Sequence, residues 1–153
     1  MKALAICADA AFRVNMAPTD GYAVAKELTK VVQDGHYDLI IAGRESIDYN
    51  GGMVPGMMAT ALGASFVNNC ISLEIEGEKA TAVREIDGGK ETLSTMLPLV
   101  IGGQKGLVEE SDPKIPTMRG IMMARKKPRT ELEPSENKKW NSAVYYEKLA
   151  PKG

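Results

Sequence analysis

The stretch YDLIIAGRESIDYNGGMVPG, Tyr37 to Gly56, narrows the choice of fold more than any other part of the chain. The apolar run Leu39, Ile40, Ile41 and Ala42 empties into a loop with glycines at 43, 51, 52 and 56, and a short helical pattern follows. A continuous apolar run of this kind suits a strand covered on both faces, the usual condition of a parallel strand. A strand that feeds a glycine-rich loop and then a helix is the arrangement found where ligands sit at the carboxyl edge of a parallel sheet.

The flanking segments fit that frame. Residues 1 to 9 read as the tail of a helix, and Ala10 to Met16 alternate weakly, as a short strand would. From Gly21 to Gly35 the apolar Val24, Leu28, Val31 and Val32 recur at helical spacing, with Lys26, Glu27, Lys30 and Gln33 on the other side. This predicts an amphipathic helix packed on a sheet, with Thr19 or Asp20 as its cap. His36, the only histidine, stands at the exit of that helix. There it can complement exposed carbonyls; no serine or cysteine nucleophile pattern accompanies it. Pro55 to Leu62 read as a second helix ended by Gly63.

Past Gly63 the periodicity changes from helical to two. Ile71, Leu73 and Ile75 alternate within Phe66 to Glu76; Glu76-Gly77 turns the chain, Ala80 to Ile86 runs back, and Asp87-Gly88-Gly89 turns it again. Glu91 to Leu97 follows, and the apolar run Leu99-Val100-Ile101 rejoins the main sheet. The pattern predicts an α/β layered fold, a Rossmann-like parallel sheet carrying an antiparallel hairpin insertion. Residues 104 to 117 read as loop. The chain from 129 to 153 reads as a polar tail, too poor in apolar residues to build its own core, with Ser135 as a possible helix cap. It is expected to dock on a partner subunit, leaving 1 to 128 as the α/β domain.

Several function classes drop out on composition. A chain of 153 residues fits one domain, and a formal net charge of -1 gives no overall attraction to nucleic acid or to a membrane. The apolar opening ALAIC is too short for a signal sequence's apolar region or a membrane span. Cys7 and Cys70 sit in unrelated contexts, so both are expected as buried free thiols in a reducing compartment such as the cytoplasm. The basic run Arg125 to Arg129 has no interleaved aromatics, which argues against nucleic-acid recognition and for a solvated face or an acidic protein partner.

The loop Gly43 to Val54 is the main candidate for chemistry. Its glycines let a ligand approach the backbone, and amides at the start of the following helix suit an anion such as a phosphate. Arg44 adds a fixed charge, and Ser46, Asp48 and Asn50 add side-chain hydrogen bonds. The spacing matches neither standard glycine-rich phosphate motif, and a connection whose glycines only satisfy turn geometry stays open. Ser46 and Asp48 would also admit a hydrolase-like reading, which lacks a matching histidine and a nucleophile elbow. Glu85, Asp87 and Glu91 offer paired acids, but Asp-Gly-Gly between alternating runs is foremost a turn. Methionines cluster at 53, 57 and 58 and at 118, 122 and 123, by default as packing and otherwise as an adaptable contact surface.

Three stretches in order, GRESID at 43 to 48, VREIDGGKETLSTMLPLVI at 83 to 101 and IMMARKKP at 121 to 128, resemble the electron transfer flavoprotein beta subunit. Arg84, Asp87-Gly88-Gly89, Glu91, Leu93 and Pro98 stand in register with that family's signature, while Gly102 replaces its usual Thr, Ala or Cys. The resemblance implies a heterodimer with an alpha subunit that holds most of the contacts to FAD, with AMP or a second FAD in beta. It implies electron shuttling from acyl-CoA-type dehydrogenases to an acceptor, without bond-making chemistry of the chain's own. The alternative it leaves is a shortened adenine-nucleotide-binding module without electron-transfer activity. The family's nucleotide loop corresponds to Gly43, Arg44, Glu45, Ser46, Ile47, Asp48, Tyr49, Asn50, Gly51, Gly52, Met53 and Val54, and its usual Gln is replaced around Met53. Its dehydrogenase-docking loop corresponds to Lys114, Ile115, Pro116, Thr117, Met118, Arg119 and Gly120, with Met118 in place of an apolar anchor that is usually Leu. Met1 falls where the family has the end of a helix, so the resemblance implies that the first strands of the sheet are missing and one side of it is exposed.

Overall fold

The computed structural model describes residues 2–17, 20–47, 50–108 and 114–135. In chain order the elements are α1 (Lys2–Ile6), β1 (Ala11–Val14), α2 (Gly21–Gly35), β2 (Leu39–Gly43), α3 (Val54–Leu62), β3 (Ser65–Glu76), β4 (Lys79–Ile86), β5 (Gly89–Met96), β6 (Leu99–Gly103), α4 (Met118–Ala124) and β7 (Arg129–Leu132). The main sheet has five strands in the order β2-β6-β3-β4-β5. β6 runs parallel to both β2 and the first part of β3, whereas β3, β4 and β5 form an antiparallel meander. This is the mixed α/β arrangement of Rossmann-like type that the change in periodicity predicts.

β6 is the interior strand of the parallel part, and Leu99, Val100 and Ile101 are all completely buried. Leu99 and Ile101 join Val67, Cys70, Ala80 and Ala82 in one cluster, against which Leu39, Leu73, Leu93 and Leu97 pack. The register puts Leu39 and Ser65 on either side of Leu99 and carries Gly43 to the level of Gly103. Between Val67 and Cys70 the β3–β6 register shifts, and Asn69 takes a left-handed conformation at φ 55°. This irregularity turns β3 out of the parallel layer and into the meander.

β2 does not have the two-sided cover expected of its apolar run. It lies at the sheet edge with β6 as its only described partner, and Ile41 is 62% exposed. An apolar run cannot by itself distinguish an interior strand from an edge strand. The helix α2 also departs from expectation. Asp20 caps it, accepting from the Ala23 N–H at 2.8 Å, and His36 closes it in a left-handed conformation with its N–H on the Gln33 carbonyl. The side chains that bury, however, are Ala23, Ala25, Glu27 and Thr29, while Leu28 is exposed; α2 packs chiefly on α3 rather than on a sheet, and its opposite face is covered at Glu27 by Ser135. Glu27, expected as a solvent-facing charge, is 5% exposed and accepts from the Ser135 hydroxyl and backbone N–H.

A second, two-stranded sheet joins β1 to β7 in parallel, Ala11 beside Arg129 and Val14 beside Leu132. The sequence reading puts Arg129–Leu132 in the polar tail. Four residues with one apolar side chain carry too little pattern to announce a strand, and backbone pairing supplies what the side chains do not. Residues 136 to 153, the rest of that tail, and Thr19 lie outside the described residues. Cys70 is fully buried as expected; burial pushes its thiol up, against a smaller lowering effect of a backbone hydrogen bond at Ser72. Cys7 is exposed rather than buried, in the turn just past the end of α1.

α1 and α4 cross closely. A Cβ on Gly120 would lie 2.3 Å from the Ala5 carbonyl oxygen, a backbone atom that cannot swing aside. Gly120→Ala is therefore expected to force α4 off α1 and to cost about 1–3 kcal/mol, as overpacking does. Urea unfolding of the two proteins measures this, and equal midpoints would show that the crossing yields freely.

Candidate functional site

The parallel register decides which residues meet at the carboxyl edge of the sheet. Gly43 and Gly103 are partners in β2 and β6, so the next residues, Arg44 and Gln104, emerge side by side. The Arg44 N–H donates to the Gly103 carbonyl at 3.1 Å, and its Nη1 donates to Gln104 Oε1 at 3.2 Å. Its Nη2 pairs with Glu45 Oε1 at 2.5 Å.

The loop then doubles back on itself. The Ser46 N–H donates to the Gly51 carbonyl, and the Gly51 N–H donates to Ser46 Oγ, each at 3.2 Å. Ser46 is thus occupied in shaping the loop. Cβ atoms on Gly51 and Gly52 would press on Ser46 Oγ and the Arg44 carbonyl at 3.3 Å, so the loop closes tightly on small residues. Ile47 projects fully into solvent, and Asp48 and Tyr49 lie outside the described residues. Met53 stands at the N-cap of α3 without any side-chain cap, which leaves backbone N–H groups of the first turn open to an anion. Pro55 in that turn contributes no N–H.

On the far side of the edge stands the β4–β5 hairpin, whose turn is Asp87-Gly88 with Gly88 at φ 84°. Arg84 and Glu91 are direct cross-strand partners and form an ion pair, Nε to Oε2, at 2.5 Å. Leu93 reaches the core cluster. The polar residues of the signature stretch therefore shape and brace a hairpin. Between hairpin and loop lies a polar cleft of about 600 Å3, walled by Arg44, Arg84, Glu85, Asp87, Asn68 and Gln104.

Two residues of this cleft escape the sequence reading. Asn68 lies in the irregular stretch of β3, with its Oδ1 buried and without a hydrogen-bond partner. A Cβ on Gly102 would lie 2.2 Å from that oxygen, so the glycine at this signature position makes room for the Asn68 amide. Gln104 donates from Nε2 to Glu85 Oε2 while accepting from Arg44. A signal for Gln104 is present in the sequence: DLIIAGR and PLVIGGQ are apolar runs of equal length, each ending in glycine before a polar residue. Aligned as parallel neighbours, they place Arg44 beside Gln104.

The segment Lys114 to Gly120 lies apart from the cleft, on α4. Lys114 to Thr117 carry no regular secondary structure, whereas Met118, Arg119 and Gly120 form the first turn of the helix and not a loop. Thr117 caps it, its Oγ1 accepting from the Gly120 N–H at 3.0 Å. Met118 is 78% exposed, and Ile115, Met122 and Met123 are exposed around it. Lys127 of the basic segment donates to the Ala8 carbonyl at 2.7 Å, tying that segment to the end of α1. Among the described residues no cluster of His, Cys, Asp or Glu could hold a metal ion.

Comparison with known proteins agrees with this architecture. The family model described as the electron transfer flavoprotein domain matches residues 2–137. The chain belongs to the electron transfer flavoprotein family. It is 36% identical over 135 residues to the electron transfer flavoprotein subunit beta of Bacillus subtilis (strain 168), covering 86% of this chain and 51% of that protein. The corresponding subunit of Syntrophomonas wolfei is 38% identical over 127 residues, covering 82% of this chain and 49% of the relative. The subunit beta of Mycobacterium leprae is 37% identical over 116 residues, covering 76% and 41% respectively. The chain thus spans about half the length of the curated relatives it matches.

Proposed function

We propose that the chain acts as the beta subunit of an electron transfer flavoprotein, in a heterodimer with an alpha subunit. In this reading it holds an adenine nucleotide in its Gly43–Val54 loop. The observation that supports it most is the loop itself. Arg44, the tight Ser46–Gly51 closure and the start of α3, which has no side-chain cap, follow β2 at the carboxyl edge of the sheet in a chain of this family.

Those groups fit a phosphate. Backbone N–H groups of the first turn of α3 and the Arg44 guanidinium supply donors and positive charge, and the N-cap side chain makes no hydrogen bond to the helix start. With Met53 and Val54 at the loop's end, the grip falls on backbone amides more than on side-chain amides or hydroxyls. The nucleotide is AMP or, in an electron-bifurcating protein, a second FAD. The flavin that carries one electron at a time sits mostly on the alpha subunit. This chain orients the complex and docks its donors, and catalyses no bond-making of its own. Acyl-CoA-type dehydrogenases are the proposed donors and the cytoplasm the proposed site of action. Among the described residues no helix is long and apolar enough to cross a membrane.

For docking, the exposed Met118, Ile115 and Met122 are flanked by Arg119, Arg125 and Lys126. An unbranched thioether fills pockets of varied shape, so this face suits an apolar socket with an acidic rim.

Isothermal titration with AMP tests the loop. Arg44→Ala is expected to weaken binding about tenfold, the scale of one charge-assisted hydrogen bond. Asp48→Ala should also weaken it, and an absence of heat with every adenine nucleotide would leave the loop a mere connection. Co-expression with the cognate alpha subunit should give a yellow complex with flavin absorbance. A colourless chain that binds nucleotide but no alpha subunit would support the nucleotide-binding-module reading instead. In the complex, Met118→Ala should slow electron uptake from a dehydrogenase severalfold at unchanged flavin content; equal rates would remove α4 from docking.

A further inference from the structure

The cleft between the loop and the hairpin is bridged at one point. Arg44 follows β2, Gln104 follows β6 and Glu85 lies near the end of β4, so three separate strands each contribute one side chain to a single chain of hydrogen bonds. Its order is Glu45, Arg44, Gln104, Glu85. An arginine can only donate and an ionised carboxylate can only accept. The Gln104 amide therefore has one serviceable orientation, oxygen to Arg44 and nitrogen to Glu85.

The backbone beneath that amide is held on both sides. The Gln104 N–H donates to the Cys70 carbonyl at 2.9 Å, and its carbonyl accepts from the Leu107 N–H at 3.2 Å. Cys70 is itself fully buried, so Gln104 is rooted in the core while its side chain stands in the cleft. We propose that Gln104 is a positioning residue that couples the Gly43–Val54 loop to the Glu85 carboxylate of the hairpin. It holds the Arg44 guanidinium at the loop, and it passes the state of the loop across the cleft.

The coupling runs in both directions. An anion at the glycines meets an Arg44 guanidinium already held by Gln104, and the contact it completes fixes that amide with its nitrogen toward Glu85. A cationic group that engages Glu85 from the cleft competes for the carboxylate and leaves the amide to Arg44. Linkage requires the two effects to be equal in free energy. The ligand half of this inference rests on the proposed nucleotide loop; the side-chain coupling stands without it.

The test is a set of double-mutant cycles read by urea unfolding of the purified chain without nucleotide. With Gln104 in place, R44A and E85A are expected to be non-additive by about two- to threefold in the unfolding constant, the low end for side chains in one network. In the Q104L background the two should become additive. A second set guards against simple misfolding. Q104E keeps an acceptor for Arg44 but sets two carboxylates against each other, so it should destabilise. Adding E85Q places an amide donor opposite the introduced carboxylate and should recover most of the loss. Additivity of R44A and E85A in the wild-type background, or no recovery in Q104E/E85Q, would overturn the coupling. AMP titration then reads the functional half. Q104L should weaken binding about two- to fivefold with Arg44 intact, and Q104E/E85Q should restore it. A chain that binds no nucleotide would refute the loop's function while the unfolding cycles still decide the coupling.

Discussion

The parallel pairing of β6 with neighbours on both sides is the constraint from which the rest of the molecule follows. It buries Leu99, Val100 and Ile101 completely and sets Gly43 level with Gly103. By the same pairing it decides that Arg44 and Gln104 leave the sheet together. A slip of one residue in that register would send every β6 side chain to the opposite face. It would also separate Arg44 from Gln104, so packing and the polar edge are specified by one and the same alignment.

The polar edge is built economically. Few charges are involved, and most of them are already matched: Arg44 with Glu45, Arg84 with Glu91. These pairs are about two-fifths exposed and contribute little to stability on their own. Their worth lies in shape. The Arg84–Glu91 pair braces the hairpin that walls the cleft, and Gln104 links the Arg44 guanidinium to Glu85 across it. The irregular stretch of β3 opens the floor between them, where Asn68 and Gly102 fit only as a pair.

Much of this is legible in the order of residues. Alternation at Ile71, Leu73 and Ile75, with Asp-Gly-Gly between two strands, announces the meander, because local turn chemistry decides such connections. Spacing announces α2, and the signature stretch announces the family. What the sequence hides is neighbourhood. Nothing in LIIAG says that β2 lies at an edge, and nothing in the α2 pattern says that Ala23, Ala25 and Thr29 are buried while Leu28 is not. Glu27 looks solvated in sequence because its partner, Ser135, lies 108 residues away. Gln104 escapes notice for a related reason: its importance appears only when two distant runs are laid side by side.

The β1–β7 pair has a consequence for how the chain is made. Its strands are joined by backbone pairing and by the Asn15 side chain, which donates to Glu131 across 116 residues of intervening chain. Loop closure over such a separation adds little to the entropic cost in the finished protein, yet it slows the search. On a ribosome, β1 emerges ahead of the five-stranded sheet and β7 after every other described element. That sheet can therefore be complete before β1 meets β7, and their pairing works as a clasp that shuts only once the segments between them have emerged.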